Sequence, residues 1–196
     1  MKQFVLVLLL TGSLTALIAQ QRVTFGVTGG AAANDAYRWQ TDEGRKYLVG
    51  PSVEVRLPAG FAVELDALYR RVGASSVFLE VDQTLTAERR RGNSWEFPLL
   101  GKYYFRRKSA TWQPFVSTGY AFRKTWWYSE IASLSSPSRN YSFHYDTPVE
   151  VGAVVGAGVR YRVGRVLLTP QVRYSRWSGD TRTMPNQASL LLGIHF

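Results

Sequence analysis

Val149-Glu-Val-Gly-Ala-Val-Val-Gly-Ala-Gly-Val-Arg-Tyr-Arg-Val163 decides the fold. Val149, Val151, Ala153, Val155, Ala157, Val159, Tyr161 and Val163 fall on one parity; Glu150, Gly152, Val154, Gly156, Gly158, Arg160 and Arg162 fall on the other. A helix would spread these charges around its girth, whereas a strand, with side chains alternating about the backbone, puts every one of them on a single face. The stretch exceeds the nine or so residues that a tilted strand needs to cross a hydrocarbon layer. It is therefore a strand with one apolar and one ionic face.

The same split recurs on both sides of it. Phe61, Val63, Leu65, Ala67 and Tyr69 oppose Glu64, Asp66 and Arg70, and Trp95, Phe97, Leu99, Tyr103 and Phe105 oppose Glu96 and Lys102. Eight segments of this kind are expected, at residues 22–30, 48–57, 60–72, 94–105, 113–124, 149–163, 166–177 and 188–196. The connections alternate in length: 58–60, 106–112 and 164–165 are short, whereas 31–47, 73–93, 125–148 and 178–187 are long. An even number of strands with short turns at one end and long loops at the other is the layout of an all-β, eight-stranded antiparallel up-and-down transmembrane β-barrel. That layout expects both termini in the periplasm of an outer-membrane protein and the long loops outside.

A soluble up-and-down barrel would show the same alternation with its apolar face turned inward. Two features separate the solutions. Lys2, the apolar run Phe4-Val-Leu-Val-Leu-Leu-Leu10 and small residues before Gln20-Gln21 read as a secretory signal peptide over residues 1–19, with cleavage expected after Ala19. The domain proper is then 20–196. At the other end the final strand alternates Leu190, Leu192 and Ile194 and stops on Phe196. Elsewhere no apolar run reaches the length of a spanning helix, and although 45% of the residues are hydrophobic the mean hydropathy is slightly negative. The apolar residues are dispersed, as alternation requires.

In a barrel of eight strands the interior is just wide enough to be filled by its own side chains. Glu54, Arg56, Glu64, Asp66, Arg70, Glu96, Lys102, Arg123, Glu150, Arg160, Arg162 and Arg173 are expected inside, as an ionic network of facing acids and bases that closes the lumen. Gly152, Gly156 and Gly158 would leave room for long side chains from neighbouring strands or ease strand curvature. Aromatics near the strand ends form two girdles. Phe61, Tyr103, Phe105, Tyr161 and Phe196 lie toward the short turns, and Tyr69, Trp95, Phe97, Phe122, Trp126 and Tyr174 toward the long loops.

At residue level three segments carry a family resemblance. Gln187-Ala-Ser-Leu-Leu-Leu-Gly-Ile-His-Phe196 resembles the terminal strand of small bacterial outer-membrane β-barrels, of the eight-stranded OmpA and OmpX layout. Trp95-Glu-Phe-Pro-Leu-Leu-Gly-Lys-Tyr-Tyr-Phe105 and Pro114-Phe-Val-Ser-Thr-Gly119 are similar to the fourth and fifth strands of the PorT-like outer-membrane β-barrel family. The resemblance implies an outer-membrane location, with Leu190, Leu192, Ile194 and Phe196 as an assembly signal read by the barrel-assembly machinery. It implies no shared activity.

Chemistry is sparse. The chain has no cysteine and two histidines, which removes thiol chemistry and makes a poor metal site. Ser142, His144 and Asp146 share one face of an extended segment, but side chains two apart on a strand stand about 7 Å apart, too far for a nucleophile to pass its proton to a base. No catalytic residue, cofactor or metal is expected. The formal charge of +10 includes Arg89-Arg90-Arg91 and Arg106-Arg107-Lys108, which for a membrane-embedded protein suit lipid phosphates or an anionic surface polymer better than nucleic acid. The long loops hold the remaining candidates. Trp126, Trp127, Tyr128, Tyr141, Phe143 and Tyr145 are typical anchors for a surface protein or glycan, and Val77 to Leu85 alternates like a protruding hairpin. A non-enzymatic structural or surface-binding barrel is expected, then a narrow solute channel, then a lipid-modifying enzyme.

Overall fold

The structure is a computed structural model, which describes residues 23–34, 41–42, 44–79, 85–106, 109–133, 140–178 and 186–196. The expected signal peptide lies outside the described residues. The strands are β1 (Val23–Asn34), β2 (Thr41–Asp42), β3 (Tyr47–Arg56), β4 (Phe61–Asp66), β5 (Leu68–Leu79), β6 (Leu85–Tyr104), β7 (Trp112–Ser133), β8 (Tyr141–Asp146), β9 (Glu150–Val163), β10 (Val166–Ser178) and β11 (Asn186–His195). All pairings are antiparallel. β1 binds β3 on one side and β11 on the other, from Gly26↔His195 to Asn34↔Gln187, so the sheet closes on itself.

Eleven strands make eight crossings of the wall. β4 and β5 are one crossing: both pair with β3 and with β6 in unchanged register. Their separation has a local cause. Between Leu65↔Leu99 and Leu68↔Glu96 the ladder lapses beside Pro98, which has no N–H to give. β2 and β8 are short additions to β5 and β7 beyond the barrel. The closed order β1–β3–β4/β5–β6–β7–β9–β10–β11 is the eight-stranded antiparallel barrel that the alternation implies.

The wall is inside-out relative to a soluble protein. Phe25, Val27, Val55, Leu65, Leu99, Val116, Val155, Val172, Leu190 and Leu192 are exposed on its outer surface, while Glu54, Glu64, Asp66, Lys102 and Arg173 are buried within. An apolar belt of this extent marks a lipid-facing surface. Rings edge the belt at both ends. Phe61 and Tyr103 lie 5.1 Å apart, with Phe105 5.3 Å from Tyr103, near the short turns. Tyr69, Trp95 and Phe97 form the corresponding cluster toward the long loops, at 5.4 and 6.2 Å.

Two of the short turns are tight. Pro58–Gly60 makes one 3-10 turn, and Gly164 begins the two-residue connection from β9 to β10 at φ 61. Nothing stands within 4 Å of a Cβ added at Gly164, so the left-handed backbone alone opposes a side chain there. Gly164→Ala is expected to lower stability by about 1 kcal/mol, read as a shift in the urea midpoint of the barrel in detergent micelles. A larger loss would mean that the turn packs on something outside the chain.

The hairpin suggested by Val77 to Leu85 is present as the pairing of β5 with β6 up to Leu79↔Leu85, and the strands around it are longer than expected. Among the described residues of 73–93 and 125–148 most are strand: β5 runs on to Leu79, β6 begins at Leu85, β7 reaches Ser133 and β8 adds to it. The wall therefore continues past the apolar belt as a sheet in which five strands are described, β2–β5–β6–β7–β8, held by Thr41↔Ser75, Leu79↔Leu85, Thr86↔Ser133 and Ile131↔Tyr141. Strand boundaries elsewhere agree with the sequence reading to within a few residues. Alternation is interrupted at Glu88 to Arg91, where four consecutive charges carry no apolar parity, although Thr86 and Ser129 on one face are buried.

Candidate functional site

Two places hold the polar chemistry: the barrel interior and the protruding sheet. Inside, Glu54 is the hub of the end nearest the short turns. Its carboxylate accepts from Arg160 Nη2 at 2.5 Å and Tyr104 Oη at 2.8 Å, with Arg56 Nε 3.0 Å from its second oxygen and Lys102 at 3.5 Å. Lys102 also pairs with Glu64. Arg173 joins Glu64 at 2.7 Å to Asp66 at 2.6 Å through its two terminal nitrogens. Alternation on β3, β4, β6, β9 and β10 aims these groups at the axis. The Arg56 guanidinium lies 3.5 Å over the Tyr104 ring, which completes the packing at this end.

Nearer the long loops the network thins. Arg70 pairs with Glu96 at 3.3 Å, and Glu96 also accepts from Gln187 at 3.1 Å. Arg123 donates to Glu150 at 2.5 Å and lies 4.2 Å over the Trp177 ring. Apolar clusters fill the space between the ionic groups, Leu100, Ala121, Val154 and Trp177 in one and Ala32, Leu48, Leu68 and Leu191 in another. Glycines make the long side chains fit. A Cβ at Gly152 would stand 2.7 Å from the Trp177 ring, and one at Gly156 3.2 Å from Arg173 Cγ.

Of the residues expected inside, one is elsewhere. Arg162 has the inward parity but is exposed, because it pairs with Leu167 within a few residues of the Gly164 turn, where the strand has reached the mouth. The other eleven are buried.

A serine–histidine contact also lies inside, between residues far apart in sequence. Ser52 Oγ is 3.2 Å from His195 Nε2, and Glu64 Oε2 is 4.0 Å from the same nitrogen. Gly26 brings the pair together, since it faces His195 on one side and Ser52 on the other and has no side chain to separate them. A nucleophile–base–carboxylate relay needs the carboxylate on the opposite ring nitrogen. Here both groups approach Nε2 and His195 is fully buried, so the contact is packing. No spacing in the sequence could have found it, because it depends on barrel closure.

The Ser142, His144 and Asp146 face resolves as expected from strand geometry. His144 packs against Tyr128, ring centroids 4.7 Å apart, and Asp146 pairs with Lys124, whose ammonium holds that carboxyl below the usual aspartate range. His144 and Asp146 thus each have a partner outside the set.

The six aromatic candidates divide between two faces of the sheet. Register places Trp126 and Tyr128 with His144 on the face continuous with the lipid-facing wall. Trp127, Tyr141, Phe143 and Tyr145 share the other. Phe143 lies 6.2 Å from Tyr141 and 5.6 Å from Tyr145, a row of rings along one side of β8. On that side Glu88 accepts from Ser129 at 2.8 Å and is bidentate with Arg90, which raises the Arg90 pKa and ties β6 to β7. At the chain terminus Leu190, Leu192, Ile194 and Phe196 are all exposed on the outer wall, with Phe196 N–H donating to Phe25 O at 2.8 Å.

Comparison with known proteins follows the same lines. A family model described as outer membrane protein beta-barrel domain matches residues 18–176. Among solved structures, the chain is similar to Neisserial surface protein A at 14% identity and a TM-score of 0.45, over 88% of this chain and 95% of that one. It is similar to the N-terminal β-barrel domain of Pseudomonas aeruginosa OprF at 16% identity and a TM-score of 0.44, over 89% and 98%. The attachment invasion locus protein Ail of Yersinia pestis aligns at 11% identity and a TM-score of 0.43, over 89% and 95%. No curated protein matches the chain.

Proposed function

We propose, from the premise that this chain belongs to the outer membrane protein beta-barrel domain family, that it is a non-enzymatic surface-binding protein whose barrel is a closed pedestal for the protruding sheet. One observation carries this reading: the lumen is occupied by mutually paired charges and apolar clusters, while the large accessible polar surface lies on β5 to β8. Function in a scaffold of this kind concentrates on what projects from it. The row Tyr141, Phe143 and Tyr145 offers rigid aromatic contact area for a surface protein or glycan.

The reading orients the short turns and both termini toward the periplasm and the sheet toward the outside. It also assigns Leu190, Leu192, Ile194 and Phe196, exposed on the outer wall, to recognition by the barrel-assembly machinery. A narrow channel is the second reading. It is favoured by Thr28, Thr169, Ser117 and Gln171 Nε2, buried polar groups with no hydrogen-bond partner among the described residues, since such groups call for water.

Conductance separates the two. Purified protein in a planar bilayer is expected to show no discrete opening steps, and regular unit openings would overturn the closed-pedestal view. His144→Ala is expected to leave the lipid acyl-chain pattern of the host membrane unchanged; a change would point to an enzyme.

A further inference from the structure

On the lipid-facing side of the wall, just beyond the girdle of Tyr69, Trp95 and Phe97, the protruding sheet holds a cavity of about 720 Å³. Arg45, Arg71, Arg89 and Arg91 line it, together with Trp126 and Tyr128, and among the described residues no carboxylate lines it. Register explains the convergence. Arg71 faces Asn93, Arg91 faces Tyr128, and Asn93 faces Trp126, so alternate positions of three strands turn to the same side. Arg45 joins them through its N–H, which donates to Arg71 O at 3.0 Å. Glu130 stands opposite Arg89 and Asp146 is engaged by Lys124, which leaves Arg71 and Arg91 as the main source of attraction.

We infer that this cavity binds the phosphate groups of an outer-leaflet glycolipid, with Arg71 and Arg91 as its principal anion ligands and Trp126 and Tyr128 against the sugar. The guanidinium fork matches phosphate oxygens two at a time. Position selects a lipid as the source. Arg71 is two residues beyond Tyr69 and Asn93 two before Trp95, a step of about 7 Å along a strand. A hydroxyl bond from Tyr69 to Asn93 Oδ1 at 2.7 Å joins girdle to cavity. Acyl chains lying against Trp95 and Phe97 therefore bring their own headgroup to the arginines. A soluble anion gains no such second contact.

The inference rests on the reading that the sheet faces outward, and the experiment keeps the two apart. V77C places a single thiol at an exposed site of the sheet in a chain that has none, and a membrane-impermeant maleimide is expected to label it on intact cells. No labelling would overturn the orientation. In micelles, the full-length mature barrel is expected to retain bis-phosphorylated lipid A in native mass spectra and to lose it roughly tenfold or more in R71Q/R91Q. R162Q/R165Q, the same charge change at the opposite end, is expected to alter it less than about twofold. Equal loss in both variants, or equal retention of dephosphorylated lipid A, would overturn the site. Displacement by inorganic phosphate alone would assign a free-anion site instead. Heat-dependent gel mobility checks that each variant folds; if R71Q/R91Q does not, R91Q alone is expected to carry a several-fold loss.

Discussion

Arg173→Ala should cost about 3–5 kcal/mol of folding free energy, because it strands two carboxylates that have no route to water. The Arg173 guanidinium joins Glu64 at 2.7 Å to Asp66 at 2.6 Å, and all three side chains are buried. Water left each of these groups on folding, and mutual attraction in the interior offset that loss. Removing one cation keeps the desolvation and deletes the compensation. Lys102 stays with Glu64, so the heavier loss falls on Asp66, and R173A/D66N should recover part of the stability. Urea unfolding in micelles, followed by tryptophan fluorescence, measures both. A loss below about 1 kcal/mol would mean that the interior is solvated, which would also weaken the closed-pedestal reading.

Leu99→Arg tests the outer surface with an effect of similar size. Leu99 lies midway between the two aromatic girdles, faces outward and is 48% exposed. In water such a substitution on an exposed strand residue would be nearly neutral. At the midplane of a bilayer an arginine on a barrel wall costs about 2–4 kcal/mol. Val77→Arg is the matched control, since Val77 is 62% exposed on the protruding sheet and should change stability by less than about 0.5 kcal/mol. The contrast between the two sites is the expected result. Equal, small effects would place the belt in water and contradict the membrane assignment.

The barrel was legible in the sequence because each crossing separates an apolar face from an ionic one, and Glu54, Glu64 and Arg173 could be assigned inward from parity alone. The same rule misplaced Arg162, since parity sets direction but says nothing about how close a residue lies to the mouth. It found the β5–β6 hairpin from Val77 to Leu85 but not the full length of β6 and β7, where Glu88 to Arg91 interrupt the apolar contrast it reads. Pairwise contacts were beyond reach. Ser52 meets His195 only because β1 closes against both β3 and β11 with Gly26 between them, and the arginine cavity exists only in the register of three strands.

The uninterrupted run of β6 and β7 through wall and sheet has a mechanical consequence. Strands of 20 and 22 residues extend about 65–70 Å at the usual rise, against an apolar band of about 25 Å. No flexible joint separates the anchored part from the free part, so the sheet is a cantilever. A force applied at its tip loads the inter-strand hydrogen bonds in shear and passes as torque into the wall. The angle at which the sheet stands off the membrane is thus set by the tilt of the strands in the bilayer.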